Sequence, residues 1–241
     1  GHAENLTIEG MHFLNNYLSH FMELNAVKNA TVRDCTFTDL NPGGYLGREA
    51  INIDHSDAVG FPHFGSYDGT VCADVLVEDC NFTNIQDGIG THTDGSHRNI
   101  RVRNCKFYNL SGMAVHARGW VNGSVTDNMV CGCGTRAVHL DSATGMIVHT
   151  NTFIDCGNSA NATHAVVVLT TGSGNIVGPN RITSTHPNLY RIPYSIVSGT
   201  GHSLQTFGAA NGTQGEVVEN SATLSTINDV LITIIADDGV A

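Results

Sequence analysis

Seven short segments of the chain alternate apolar and polar residues at period two: "NLTIEGMHF", "NATVRDCTF", "DVLVEDCNF", "NIRVRNCKF", "GSVTDNMV", "GMIVHTNTF" and "GNIVGPNRI". Alternation of this kind marks a half-buried strand, and the 3.6-residue spacing of a helical repeat is missing. Set in register, the segments share an apolar residue at Ile8, Val32, Val77, Val102, Val125, Val148 and Val177. The steps between them are 24, 45, 25, 23, 23 and 29 residues, so the unit is about two dozen residues long and the outliers carry insertions. Three positions on, the column reads Met11, Cys35, Cys80, Cys105, Asn128, Asn151, Asn180. Five positions on, it reads Phe13, Phe37, Phe82, Phe107, Val130, Phe153, Ile182.

A strand unit of this length cannot bury its own apolar face, whereas units stacked into a coil can. The pattern therefore predicts an all-β chain, a right-handed parallel β-helix (a solenoid) of about seven to eight coils. Like then stacks on like, with aromatics and cysteines filling the interior and the asparagines hydrogen-bonding along the axis. Cys35, Cys80 and Cys105 are expected to be small buried hydrophobes rather than disulfide partners or metal ligands. The helix is expected over residues 1–182. Residues 183–241, where the repeat fades, read as an irregular final coil, a cap or the start of a second domain. Open coil ends expose strand edges, so a missing N-terminal segment or a partner chain is expected to cover the first rung.

A second strand in each unit changes the picture from scaffold to chemistry. "EAINID", "DGIGTH", "GMAVHA" and "TRAVHL" align Asp54, His92, His116 and His139 in one column. Their neighbours Ile53, Thr91, Val115 and Val138 take the inward positions, so the column is expected to face outward. At about 4.8 Å per coil it forms a strip of roughly 14 Å. Two residues later stand Asp94, Arg118 and Asp141, and two residues earlier the small or polar Asn52, Gly90, Ala114 and Ala137. Glu23 and Asn25 extend the strip by one coil. The insertion "HSDAVGFPHFGSYDGTVC" brings His55, Phe64 and Tyr67 beside it as a wall or lid.

Charge narrows the partners. The chain has 22 acidic residues against 11 Lys plus Arg, a net charge of −11. Such a surface argues against nucleic acid and anionic membranes, and no run is apolar enough to span a bilayer. Seven cysteines without paired CxxC spacing argue against a zinc knuckle.

The Gly/Asn-punctuated coils, the "N-x-T-x-x-x-C-x-F" units and the stacked asparagines over roughly residues 5–182 resemble the pectate-lyase-like superfamily of right-handed β-helix proteins. The resemblance implies a secreted, cell-surface or virion-associated protein, often trimeric, with a polysaccharide lying in a groove on the outer face. It implies polysaccharide lyases, glycoside hydrolases and phage depolymerases as relatives. On the lyase reading Arg118 neutralises a uronate, His92 or His116 is the base, His139 is the acid, and Asp54 orients an imidazole. The hydrolase alternative pairs Asp54 with Asp94, about 8 Å apart between Cα atoms, within the range for inversion. Asn52, His55, Phe64, Tyr67, Asp141 and Glu23 are then the candidate substrate contacts. No firm cofactor is indicated. A divalent metal held by Asp54, His92, His116 and His139 is a third reading, and a non-enzymatic glycan-binding protein or a tail or adhesin shaft is the fourth. The polygalacturonase set of "NTD", "DD", "GHG" and "RIK" is not present.

Overall fold

The structure, a computed structural model, describes residues 2–40, 48–57, 67–157, 166–183, 194–204, 217–219 and 226–227. The strands form three parallel sheets of nine, seven and eight strands, and the chain visits each sheet once per circuit. This is a right-handed parallel β-solenoid, without a helix among the described residues.

The apolar column of the repeat is the inward row of the first sheet. Ile8 pairs with Val32, Val32 with Val77, Val77 with Val102, Val102 with Val125, Val125 with Val148, and Val148 with Val177. The aromatic column is the inward row of the second sheet. Phe13, Phe37, Phe82 and Phe107 stack there with ring centroids 4.8, 4.8 and 4.6 Å apart and nearly parallel planes. Rung spacing thus imposes face-to-face stacking on rings that would otherwise settle into tilted pairs.

Between these sheets the chain turns on a single left-handed residue. Asp34, Asp79, Asn104 and Asp127 hold φ of 52°, 55°, 50° and 59°. Asp and Asn tolerate this region because their short side chains bond locally. The next residue is the cysteine or asparagine of the third column. Cys35, Cys80 and Cys105 are buried free thiols, as expected. Lower in the stack Asn128 donates through Nδ2 to Asn151 Oδ1 (3.0 Å), and Asn151 donates to Asn180 Oδ1 (2.9 Å) and to the Val125 carbonyl (2.9 Å). The ladder satisfies buried backbone groups that the turn leaves without strand partners.

Beyond residue 182, Tyr194–Ile196 and Ser203–Leu204 still add parallel rungs to the third and first sheets. The sheets therefore run on past the point where the repeat fades from the sequence.

Removing Asn151 orphans several buried partners at once, whereas the Asn84–Asn109 ladder lies on the surface. Asn151→Ala is expected to lower unfolding free energy by about 2–3 kcal/mol. Asn109→Gly, which keeps the left-handed backbone accessible, should change it by less than about 0.5 kcal/mol. Urea midpoints of the two variants check the contrast.

Candidate functional site

The third sheet carries the candidate site residues. Its strands are Met22–Asn25, Glu49–Asp54, Asp87–Gly90, Val115–Arg118, Val138–Asp141, Val167–Thr170 and Tyr194–Ile196, with Val217–Glu219 beyond. Three acids are buried among the described residues, Glu49, Asp54 and Asp87, and all belong to this sheet.

The register corrects the expected column. His116 pairs with His139 as anticipated, but its neighbour on the other side is Gly90, which pairs with Asn52, which pairs with Glu23. The row is Glu23, Asn52, Gly90, His116, His139. Asp54 lies one position pair further along, level with Asn25, while Arg118 pairs with Asp141. His92 follows the end of its strand. The cause is a circuit one residue shorter: Gly90 is 13 positions after Val77, while His116 and His139 are each 14 after their anchors. The resulting slip is two residues, which preserves the face but moves the row. The four residues therefore do not share one register row: His92 Nδ1 lies 4.0 Å from Asp54 Oδ2, while His116 and His139 pair with each other further down the sheet, and the titratable groups gather into three clusters.

The first cluster gathers around Glu49, which is 1% exposed. His92 Nε2 lies 2.8 Å from Glu49 Oε2, and His20 Nδ1 lies 3.5 Å from the same oxygen. Glu23 Oε1 is 3.4 Å from His20 Nε2, and Asn52 donates to Glu23 Oε2 (2.9 Å). Gly90 makes this possible, since a Cβ there would stand 2.9 Å from Glu49 Cγ.

The second cluster surrounds Asp54. Its carboxylate accepts hydrogen bonds from Thr93 Oγ1 (2.6 Å) and Asn52 Nδ2 (3.2 Å). His55 sits between Thr93 (3.0 Å) and Asp57 (3.0 Å). His97 is fully buried, its pKa pushed down to about 4 by burial, and its Nδ1 accepts the Cys72 amide proton (3.1 Å).

In the third cluster the His116 and His139 rings stack at 4.9 Å, and His116 Nε2 lies 3.6 Å from Asp141 Oδ2. The His116 contact, above all, lowers the Asp141 pKa. Arg136 donates to His139 Nδ1 (2.8 Å), which leaves Nε2 to donate to Thr170 Oγ1 (2.7 Å). Burial first, then the His116 and Arg136 charges, push the His139 pKa down to about 3. His139 is thus a neutral ring with both nitrogens engaged. Arg118 is held by Asp94 (2.9 Å) and by the His92 carbonyl (2.6 Å), with Asp141 at 3.8 Å.

His20, Glu49, Asp87 and Arg136 were not anticipated from the sequence. Glu49 pairs with Asp87 at the start of the third-sheet strands, and His20 and Arg136 lie on the same line by extension of the register. A signal did exist: charged or imidazole side chains stand two residues before the first inward apolar residue of the strand at His20, Glu49, Asp87 and Arg136, interrupted by Met113. Asp87 accepts the Met113 amide proton (2.5 Å), and only a glycine fits at 112, where a Cβ would meet the carboxylate. Burial, opposed by the Met113 bond and reinforced by the Glu49 charge, raises the Asp87 pKa to about 6.

The insertion after Asp54 is pinched at its base, where Ser56 and Thr70 bond through the backbone (3.0 Å) and Gly69 donates to the Ser56 carbonyl (2.9 Å). Tyr67 is exposed on its returning limb. Phe64 lies outside the described residues.

The family described as "right handed beta helix region" matches residues 65–207. The chain belongs to that family. Two solved structures are similar to it in fold. One, the crystal structure of PfbA, a surface adhesin of Streptococcus pneumoniae, is 18% identical, with a TM-score of 0.66 over 92% of this chain and 59% of its own. A second structure of this pneumococcal surface protein and adhesin is 18% identical, with a TM-score of 0.59 over 91% of this chain and 64% of its own. This chain spans less than two thirds of either, and at that identity the likeness is one of fold. No curated protein matches the chain.

Asp87 supplies a signed test. A carboxyl whose folded pKa of about 6 exceeds its unfolded value of 3.8 stabilises the fold fully below pH 3.8 and loses that contribution as pH rises through 6. His97 and His139, held neutral, have the opposite slope, losing stability as pH falls below 6.5. Asp87→Asn keeps the acceptor for Met113 and removes the charge. It is expected to be more stable than the parent by on the order of 2–3 kcal/mol at pH 8, with the difference vanishing near pH 4. Urea unfolding of both proteins across that range checks it.

Proposed function

We propose that this β-helix is a glycan-binding protein of the secreted or cell-surface type, with the outer face of the third sheet as its sugar-binding surface. The observation that carries the reading is that all three buried acids among the described residues, Glu49, Asp54 and Asp87, belong to that sheet, with His92, His116 and His139 beside them. A passive shaft would distribute its polar columns around the coil. Here the outer rows of the first sheet are ordinary surface ladders such as Arg33–Glu9 and Arg103–Glu78. The third sheet instead presents Asp54, His92, His116, His139 and Asp141, with the Glu49 side chain lying against Gly90 of the outer row. Carboxylates and imidazoles held by neighbours before a ligand arrives are preorganised for sugar hydroxyls, which both donate and accept hydrogen bonds. The surface-adhesin character of the two structural neighbours supports the same reading.

A second reading, cleavage of a glycosidic bond, is favoured by Asp87. A buried acid that keeps its proton to about pH 6 beside the Glu49 carboxylate is the pattern by which two carboxyls acquire different roles. In that case Glu49, Asp87 and His92 take the proton transfers. Arg118, committed to Asp94 and the His92 carbonyl, would have to exchange partners to neutralise a uronate.

A panel of uronate-containing and neutral polysaccharides tests both. Binding to immobilised glycan is expected, weakened at least ~10-fold by combining His92→Ala with Asp141→Ala, the removal of two hydrogen-bonding groups. Unsaturated-uronate absorbance or new reducing ends that Asp87→Asn abolishes would favour cleavage. Retention of full affinity by the double variant would refute the assigned face.

A further inference from the structure

Among the described residues, three groups on or beside the third sheet bring metal-ligating atoms within 4.8 Å of one another: His20–Glu49–His92, Asp54–His55–His97 and His116–His139–Asp141. Hydrogen-bond bookkeeping separates them. In the second, His97 Nδ1 accepts the Cys72 amide proton, so a neutral ring carries its proton on Nε2 and has no lone pair there for a metal. In the third, the guanidinium of Arg136 occupies His139 Nδ1, so Nε2 is again protonated and a cation already sits at the ring. The first group is different in both respects.

His20 Nδ1 lies 2.8 Å from the Glu49 backbone carbonyl, which can only accept, so Nδ1 carries the proton. In that tautomer the lone pair is at Nε2, the nitrogen that faces Glu23 Oε1 at 3.4 Å. A second-shell carbonyl fixing the tautomer in this way is how metal-binding histidines are oriented. The independent observation is Glu49 Oε2, a carboxylate oxygen without a hydrogen bond on a residue 1% exposed. It lies 2.8 Å from His92 Nε2 and 3.5 Å from His20 Nδ1. Two carboxylates meet the imidazoles here, and the Asp87 carboxyl is close enough to Glu49 for its pKa to be raised by it.

We propose that His20 Nε2, Glu49 Oε2 and His92 bind a divalent transition-metal ion of the zinc class, with Glu23 as a fourth ligand or a support. Two imidazole nitrogens and a carboxylate suit zinc. Tetrahedral bonds of about 2.0–2.2 Å need ligand atoms about 3.4 Å apart; His20 Nε2 and Glu23 Oε1 already stand at 3.4 Å, whereas His92 Nε2 and Glu49 Oε2, at 2.8 Å, would move apart to admit the ion. The ligands come from three successive circuits, so the ion clamps the first rungs of the solenoid together. The site shares Glu49 and His92 with the proposed sugar-binding face but is separate from the His116–His139 stack, and metal binding is read without any glycan present.

The test uses chelator-stripped full chain titrated with Zn²⁺ and Co²⁺. One equivalent is expected to bind and to raise the melting temperature by roughly 3 °C or more. Glu49→Gln and His20→Gln should each weaken binding at least ~10-fold, while His12→Ala, on the second sheet, should leave it unchanged. In Co²⁺-loaded wild-type protein, the ring protons of His20 and His92 should show the largest paramagnetic shifts. Should the two variants fail to fold, that wild-type spectrum decides alone. Absence of stoichiometric binding, full affinity in Glu49→Gln, or shifts centred on His116 and His139 would each overturn the site.

Discussion

The molecule depends on parallel, in-register pairing, which lays each residue about 4.8 Å above its counterpart one circuit earlier. Every column must therefore consist of residues that can stand on themselves or on their neighbour's type. Valine and phenylalanine satisfy this through contact. Asparagine satisfies it because its amide donates at one edge and accepts at the other, so the Asn128–Asn151–Asn180 ladder closes without orphaned groups. Charged residues satisfy it poorly, since like charges at this spacing repel.

The third sheet shows the consequence. Glu49 pairs directly with Asp87, and the like-charge pair is tolerated because burial and mutual repulsion keep Asp87 protonated to about pH 6. His116 stands on His139, and the pair is tolerated because Arg136 and Thr170 fix His139 as neutral. These arrangements reduce stability relative to an apolar column, and they persist on one face only. The same constraint makes Gly90 and Gly112 necessary, each leaving room for an acid to fold across the rung above or below.

The columns with self-compatible residues were legible in the sequence, since repetition announces them. Ile8 through Val177, Phe13 through Ile182 and the asparagines all fell into register from pattern alone. The outer face was legible as a face, because a slip of two keeps parity, but its row was not. Gly90 has no side chain to mark it, so His92 stood in for it in the alignment. His20, Glu49 and Asp87 escaped notice for a related reason. They fall where the strand alternation asks for apolar residues, at the turn into the sheet, and each is a different amino acid. A column that does not repeat a residue type leaves no repeat to see.

A crystal structure with a bound oligosaccharide, drawn from whichever glycan the protein retains, tests the functional account most directly. The account places sugar density along the outer face of the third sheet, in contact with His92 and Asp141 and alongside the base of the 55–72 insertion. Density on the first or second sheet, with the third-sheet face bare, would contradict it and return the buried acids and imidazoles to a structural role.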